Sequence, residues 1–221
     1  MSLEFKPPGS GVLITFEGID YCGKSTQARK MIGRLQNESI DAVLLRDPGT
    51  TKISEKIREI LLDRHFSGIK PWTELLLYEA ARAQMVEQSI KPALVRGSVV
   101  ICDRFYDSTT AYQGYGRRLD LERVRQANAI GACGLVPSLT FYIDLEPDLA
   151  AARMKSGSVD RIESEGPDFQ SRVRSGFLRI AAEEPQRVRI IDGARPVEQV
   201  GAEIWAVTKS YLKRMSYEKE S

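Results

Sequence analysis

The stretch Val12-Leu13-Ile14-Thr15-Phe16-Glu17-Gly18-Ile19-Asp20-Tyr21-Cys22-Gly23-Lys24-Ser25-Thr26 decides how the rest of the chain is read. An apolar run gives way to a glycine-bounded loop and then to helix-compatible residues. Gly18 to Ser25 satisfies G-x-x-x-x-G-K-[ST], and its flanks supply the strand and helix that the motif requires. Gly18 and Gly23 permit backbone angles closed to residues with a Cβ, so consecutive N–H groups can turn inward around an anion. The start of the next helix adds positive partial charge at the same point. Lys24 would reach the outer phosphates, and the Ser25 hydroxyl would be a ligand for Mg²⁺. A plain glycine-rich turn is the bland alternative, but it gives no reason for Lys-Ser at this offset. Gly18, Ile19, Asp20, Tyr21, Cys22, Gly23, Lys24, Ser25 and Thr26 are therefore expected to cradle a phosphate chain.

Working outward, five short apolar runs carry the strand signature: Val12–Phe16, Ala42–Leu45, Val99–Cys102, Leu139–Ile143 and Val188–Ile191. They are mostly continuous rather than alternating, as parallel strands covered on both faces should be. Helical patterns over Ser25–Asn37, Ile53–Asp63, Trp72–Arg96, Leu121–Gly131, Pro167–Ala182 and Val197–Tyr211 alternate with them. The expected fold is α/β, a five-stranded parallel sheet flanked by helices in three layers. Ligands in such sheets sit beyond the carboxyl ends of the strands.

The 221 residues suit one domain over 12–212, after a loose lead-in at 1–11 and before a tail at 213–221. With 32 basic against 30 acidic residues, nothing suggests a nucleic-acid or membrane-surface partner, and no run approaches the ~18 apolar residues of a membrane span. Cys22, Cys102 and Cys133 are few, odd in number and not at metal spacing, which argues for a reducing, cytoplasmic setting. Cys22 reads as a small loop filler rather than a reactive thiol.

Four of the five strand ends carry polar groups: Asp20 after the first, Arg46-Asp47-Pro48-Gly49 after the second, Asp103-Arg104 after the third and Asp192 after the fifth. An acid in this position is commonly a cap or turn former. Asp103 also stands where an acid reaches Mg²⁺ beside a phosphate loop. Arg104 offers a fork suited to a second phosphate, or to an ion pair with a nearby acid. Tyr78 and Arg82 are four apart on one helix face, so a ring and a guanidinium could meet a planar ligand together, unless Tyr78 is plain core. Tyr106 to Arg117 is dense in hydroxyls, and Gln113 can both donate and accept, which suits a pyrimidine imide edge. The bland reading of that stretch is a solvated helix start. From Arg153 a basic Ser-Gly-Ser loop follows, read as a surface loop or as a lid, at about 154–166, that excludes water.

With these residues in view the chain resembles the thymidylate kinases, specifically their bacterial branch, over about Val12 to Val207. The likeness rests on Phe16 to Asp20 with the phosphate loop, Arg46-Asp47-Pro48-Gly49, Leu77 to Arg82, Asp103-Arg104-Phe105, Ala111-Tyr112-Gln113-Gly114 and Asp160-Arg161-Ile162-Glu163. It implies transfer of the terminal phosphoryl of ATP to dTMP with Mg²⁺ held at Ser25 and Asp103, and a homodimer. It also implies that Tyr78 stacks on thymine and that Arg82, Gln113 and Thr109 serve its polar edge. Tyr112 would crowd the position of a ribose 2′-hydroxyl and Asp20 would bind the 3′-hydroxyl. Arg104 and Arg58 would hold the acceptor phosphate, with Asp47 and Pro48 nearby, and Arg153 would flank adenine. Two positions depart from the family pattern. Tyr21 replaces an arginine or glycine, which passes the catalytic charge to the lid residues Lys155 and Arg161, alongside Lys24 and Arg104. Asp47 stands where many relatives have Glu.

His65 is the only histidine and reads as a surface residue. A phosphate acceptor needs no base, because its oxygen is already anionic. A deoxynucleoside kinase using Asp47 as base, or a non-catalytic nucleotide switch, are the competing readings. Two guanidiniums at the acceptor end argue against the first, and Tyr78, Arg82 and Gln113 against the second.

Overall fold

A computed structural model describes residues 11–154 and 160–220, with side chains to 215. Five strands, β1 (Val12–Glu17), β2 (Ala42–Arg46), β3 (Val99–Asp103), β4 (Leu139–Asp144) and β5 (Val188–Asp192), form one sheet in the order β2-β3-β1-β4-β5. All pairings are parallel. Each strand begins where its apolar run begins and ends one residue later, on Glu17, Arg46, Asp103, Asp144 or Asp192. The pairing Phe16↔Asp103 and the pairing Asp144↔Asp192 show why. Apolarity records the depth of the covering layers, whereas the hydrogen-bond ladder continues to the rim of the crevice. The charged residues thus stand at the sheet's carboxyl edge, held by the ladder itself.

Between the strands run α1 (Lys24–Asn37), α2 (Lys52–Leu62), α3 (Pro71–Met85), α4 (Lys91–Val95), α5 (Tyr106–Thr109), α6 (Leu121–Gly131), α7 (Pro147–Arg153), α8 (Pro167–Glu183) and α9 (Val197–Glu220). Alternation along β1 divides the core. Val12, Ile14 and Phe16 face Met31, Leu35, Phe177 and Ile204 of α1, α8 and α9. Leu13 faces Met85, Ile90 and Leu94 on the other side. This is the expected three-layer arrangement.

Three segments differ from the pattern reading. The helix expected over Trp72–Arg96 is α3 and α4 joined by a π-helical turn at Val86–Ile90. Pro92 lacks the N–H that would bond to Gln88, and the chain widens just before it. Thr110–Gly116, after α5, is also π-helical and buried through Gly114, so it is not a solvated helix start. Helix α9 continues to Glu220, through most of the tail expected at 213–221. Residues 1–10 of the expected lead-in lie outside the described residues. No helix among the described residues is long and apolar enough to cross a membrane.

Candidate active site

The loop between β1 and α1 turns on two glycines. Gly18 has φ 139°, and a Cβ there would lie 2.6 Å from the Ile143 carbonyl oxygen and 2.8 Å from Cys22 Sγ. Gly23 has φ 104° and starts α1. Cys22 is buried under this loop, and burial pushes its thiol up, so it is the filler the sequence suggested. Lys24 folds back over the loop, its Nζ donating to the Ile19 carbonyl at 3.2 Å and to Asp20 Oδ1 at 3.1 Å. Asp20, Tyr21, Gly23, Lys24, Ser25, Thr26, Arg153 and Glu163 line one cleft. A neighbouring cleft of about 500 Å³ runs from Cys22, Gly23 and Thr26 to Gly193–Val197. Arg153 borders both clefts, with Nη2 on the Gly193 carbonyl at 2.9 Å.

On the other side of Asp20 a narrow slot is lined by Asp20, Asp47, Pro48, Arg58, Tyr78, Arg82, Arg104, Thr109, Tyr112 and Gln113. All ten residues expected around the acceptor therefore converge. Arg104 has φ 71°, which turns its side chain from the end of β3 back across β1. Its guanidinium donates to the Gly18 carbonyl, Ser108 Oγ and Tyr112 Oη at 2.9, 2.9 and 3.2 Å, and to Asp20 Oδ1 at 2.5 Å. It also lies 5.0 Å over the Tyr112 ring. Burial alone would raise the Asp20 carboxyl, but Arg104 and Lys24 hold it well below the ordinary range. Asp20 is therefore charged and joins the two clefts.

Arg82 is 1% exposed and each of its three nitrogens donates to a protein group: Nε to Asp47 Oδ2 at 2.5 Å, Nη1 to Glu79 Oε1 at 2.6 Å and Nη2 to Thr109 Oγ1 at 2.7 Å. Burial would lower its pKa; the two carboxylates raise it far above the usual arginine value. Arg58 reaches in from α2, with Nη1 on the Pro48 carbonyl at 3.1 Å. The Asp47–Pro48 peptide is cis. Tyr78 borders the slot, and burial pushes its phenol upward, so the ring is neutral.

Of the expected lid, residues 154 and 160–166 are described. Asp160 and Ile162 line the slot, but Arg161 between them is 8% exposed and turned away. Its Nε donates to the Leu61 carbonyl at 2.8 Å, and Nη1 pairs with Glu74 at 2.6 Å. A buried guanidinium needs such a carboxylate, so in this arrangement Arg161 faces Glu74 and not the phosphate loop. Lys155 lies outside the described residues. Tyr21, with φ 62°, donates its hydroxyl to Glu163 Oε1 at 2.9 Å, so the loop touches the described part of the expected lid directly. His65 is exposed and pairs with Asp63, as a surface residue would.

The positions missed by sequence reasoning are the partners of the slot residues: Glu17, Glu74, Glu79 and Ser108. Glu17 accepts from Phe105 N at 2.7 Å and Ser108 Oγ at 2.5 Å, fixing the turn that carries Arg104. Glu74 had a legible signal, because it lies four residues before Tyr78 and eight before Arg82 on one helix.

Asp103 Oδ1 is buried without a hydrogen-bond partner among the described residues, at the end of the strand beside β1. A bare carboxylate oxygen there fits a hydrated divalent cation. Among the described residues no three His, Cys, Asp or Glu side chains cluster to hold a metal, so bound phosphates and water would complete the shell of Ser25 and Asp103.

Comparison with known proteins agrees with this geometry. The thymidylate kinase family model matches residues 16–204. The chain is 46% identical over 203 residues to the thymidylate kinase of Caldanaerobacter subterraneus subsp. tengcongensis, covering 92% of this chain and 97% of that protein. It is 49% identical over 191 residues to that of Chlorobaculum tepidum, covering 82% and 89%. The crystal structure of thymidylate kinase from Ehrlichia chaffeensis superposes with a TM-score of 0.73 at 35% identity, over 91% of this chain and 99% of that one. On the match of family, sequence and fold over nearly its whole length, the chain belongs to the thymidylate kinase family.

Proposed function

We propose that the clefts on either side of Asp20 hold the two substrates of one phosphoryl transfer, ATP over the phosphate loop and dTMP in the slot, giving ADP and dTDP for dTTP synthesis. The observation that carries this reading is Asp20 itself, which borders both clefts and is bonded to Lys24 on one side and Arg104 on the other. Lys24 and the loop amides take the outer phosphates of ATP, and Arg153 flanks its adenine. Tyr78 stacks on thymine, with Arg82, Gln113 and Thr109 at its edge. Arg104 and Arg58 bind the acceptor phosphate beside Asp47 and Pro48. Tyr112 and Asp20 take the sugar.

Mg²⁺, at Ser25 and Asp103, would neutralise charge on the phosphates when bound. The protein's part is positioning and charge stabilisation. No base is assigned, because the attacking phosphate oxygen is already ionised. With Arg161 paired to Glu74, we assign the lid-side charge to Lys155. The three cysteines are free thiols, in keeping with a cytoplasmic enzyme.

Helices α2, α3 and α6 pack side by side, and each leaves an aliphatic side chain outside: Ile53 at 55%, Leu76 at 61% and Ile130 at 76% exposure. We assign this surface to a homodimer contact. Sedimentation as a monomer at micromolar concentration would overturn that assignment.

ADP release measured with dTMP, dUMP, AMP, CMP and thymidine tests the reaction. The expected result is fastest turnover with dTMP. Faster turnover of thymidine would replace this reading with a nucleoside kinase using Asp47 as base.

A further inference from the structure

Glu74 is 1% exposed and collects three hydrogen bonds and one further ion-pair contact. Oε1 accepts from Gln113 Nε2 at 2.8 Å and from Arg117 Nε at 3.0 Å. Oε2 accepts from Arg117 Nη2 at 3.1 Å and pairs with Arg161 Nη1 at 2.6 Å. Burial would raise this carboxyl, but Arg117, Gln113 and Arg161 hold it below the usual range, so it is ionised.

An ionised carboxylate only accepts. The amide of Gln113, which borders the slot, therefore has one orientation: its NH₂ faces Glu74, leaving the carbonyl oxygen as the free acceptor. Without Glu74 the two ends of the amide would be interchangeable. A base edge that meets this oxygen must bring a donor. Thymine and uracil bring an imide N3–H, whereas cytosine presents a bare nitrogen at that position.

The same carboxylate holds the cover of the slot. Arg161 is anchored on it while its neighbours Asp160 and Ile162 border the slot, and Arg117 also pairs with Glu165. One buried charge thus fixes both the reading amide and the segment that lies over it.

We propose that Glu74 is a positioning residue for base specificity, orienting Gln113 to accept from an imide N–H while anchoring the 160–165 segment through Arg161 and Arg117. This rests on the dTMP reading of the slot. Glu74→Gln keeps the shape but frees the amide of Gln113 to turn. We expect the preference for dTMP over dCMP in kcat/KM to fall about tenfold or more, carried by KM for the nucleotide while KM for ATP is unchanged. Arg161→Met leaves Glu74 on Gln113 and should raise KM for dTMP without changing the dTMP:dCMP ratio. An unchanged ratio in Glu74→Gln, or equal losses on both nucleotides in step with lost folded protein, would overturn the proposal. If Glu74→Gln does not fold, wild-type protein still decides it: N3-methyl-dTMP should bind about 100-fold more weakly than dTMP, and equal binding sinks the idea. A wild type that does not prefer dTMP to dCMP would instead refute the function on which the inference stands.

Discussion

The two halves of the site are built in opposite ways. The proposed phosphate cradle is consecutive, nine residues from Gly18 to Thr26, and it turns on two glycines at positive φ, so the atoms it would offer a phosphate are largely backbone amides. The slot proposed for dTMP is assembled from α2, α3, the ends of β2 and β3, and the α5 region, and two of its cations, Arg82 and Arg104, are paired with protein acids. A cradle of amides can be edited at a side chain with little structural cost. A slot made of buried ion pairs cannot, because each guanidinium both supports the fold and faces the ligand.

Substituting one residue on each side should separate these behaviours. Lys24→Ala removes a buried cation but leaves Asp20 paired with Arg104, so turnover should drop by about 10²–10³-fold or more while the melting temperature stays near that of the wild type. Arg82→Met leaves Asp47 and Glu79 buried without their cation. The loss of stability should be about 3–5 kcal/mol, seen by urea unfolding, together with loss of dTMP binding. A stable Arg82→Met protein, or an unfolded Lys24→Ala one, would erase the contrast.

Tyr78→Ala probes the slot where it is not ion-paired. Base stacking is worth ~1–3 kcal/mol, so KM for dTMP should rise about tenfold or more while KM for ATP holds. Equal effects on both substrates would return Tyr78 to a packing role. An intermediate stability loss, smaller than that of Arg82→Met, would fit its position at the edge of the slot.

The same contrast explains what could be read from the sequence. The cradle is contiguous, so its spacing alone identified it, and the five strands announced themselves as apolar runs. The slot residues were legible as motifs, and all of those expected for dTMP converge. What escaped was who holds them. Glu17 and Glu74 are buried acids whose partners lie up to 91 residues away, and no local pattern records those pairings. The partners of Arg161 are hidden for the same reason: a basic residue in a loop shows no sign in the sequence that Glu74 and the Leu61 carbonyl bury it. The wide turns at Val86–Ile90 and Thr110–Gly116 were also invisible, since an added residue per turn leaves the apolar content unchanged.

The smallest expected effect lies between the two halves, at Glu17. Burial, reinforced by Asp107, pushes its carboxyl up to about 8 from 4.5, against the hydrogen bonds from Ser108 and Phe105. Between these values the folded chain keeps a proton that the unfolded chain has lost. Stability must then decline as pH rises from about 4.5 to about 8, and level off above. Glu17→Gln keeps an acceptor for the Phe105 N–H but cannot ionise. Its stability, from urea unfolding at pH 5 and pH 8, should lack that part of the decline, and its advantage over the wild type should grow toward pH 8. Parallel pH profiles would mean that Glu17 is ionised in the folded protein. The turn carrying Arg104 would then rest on a buried charge, as the rest of the slot does, and not on a neutral acid at its border with the cradle.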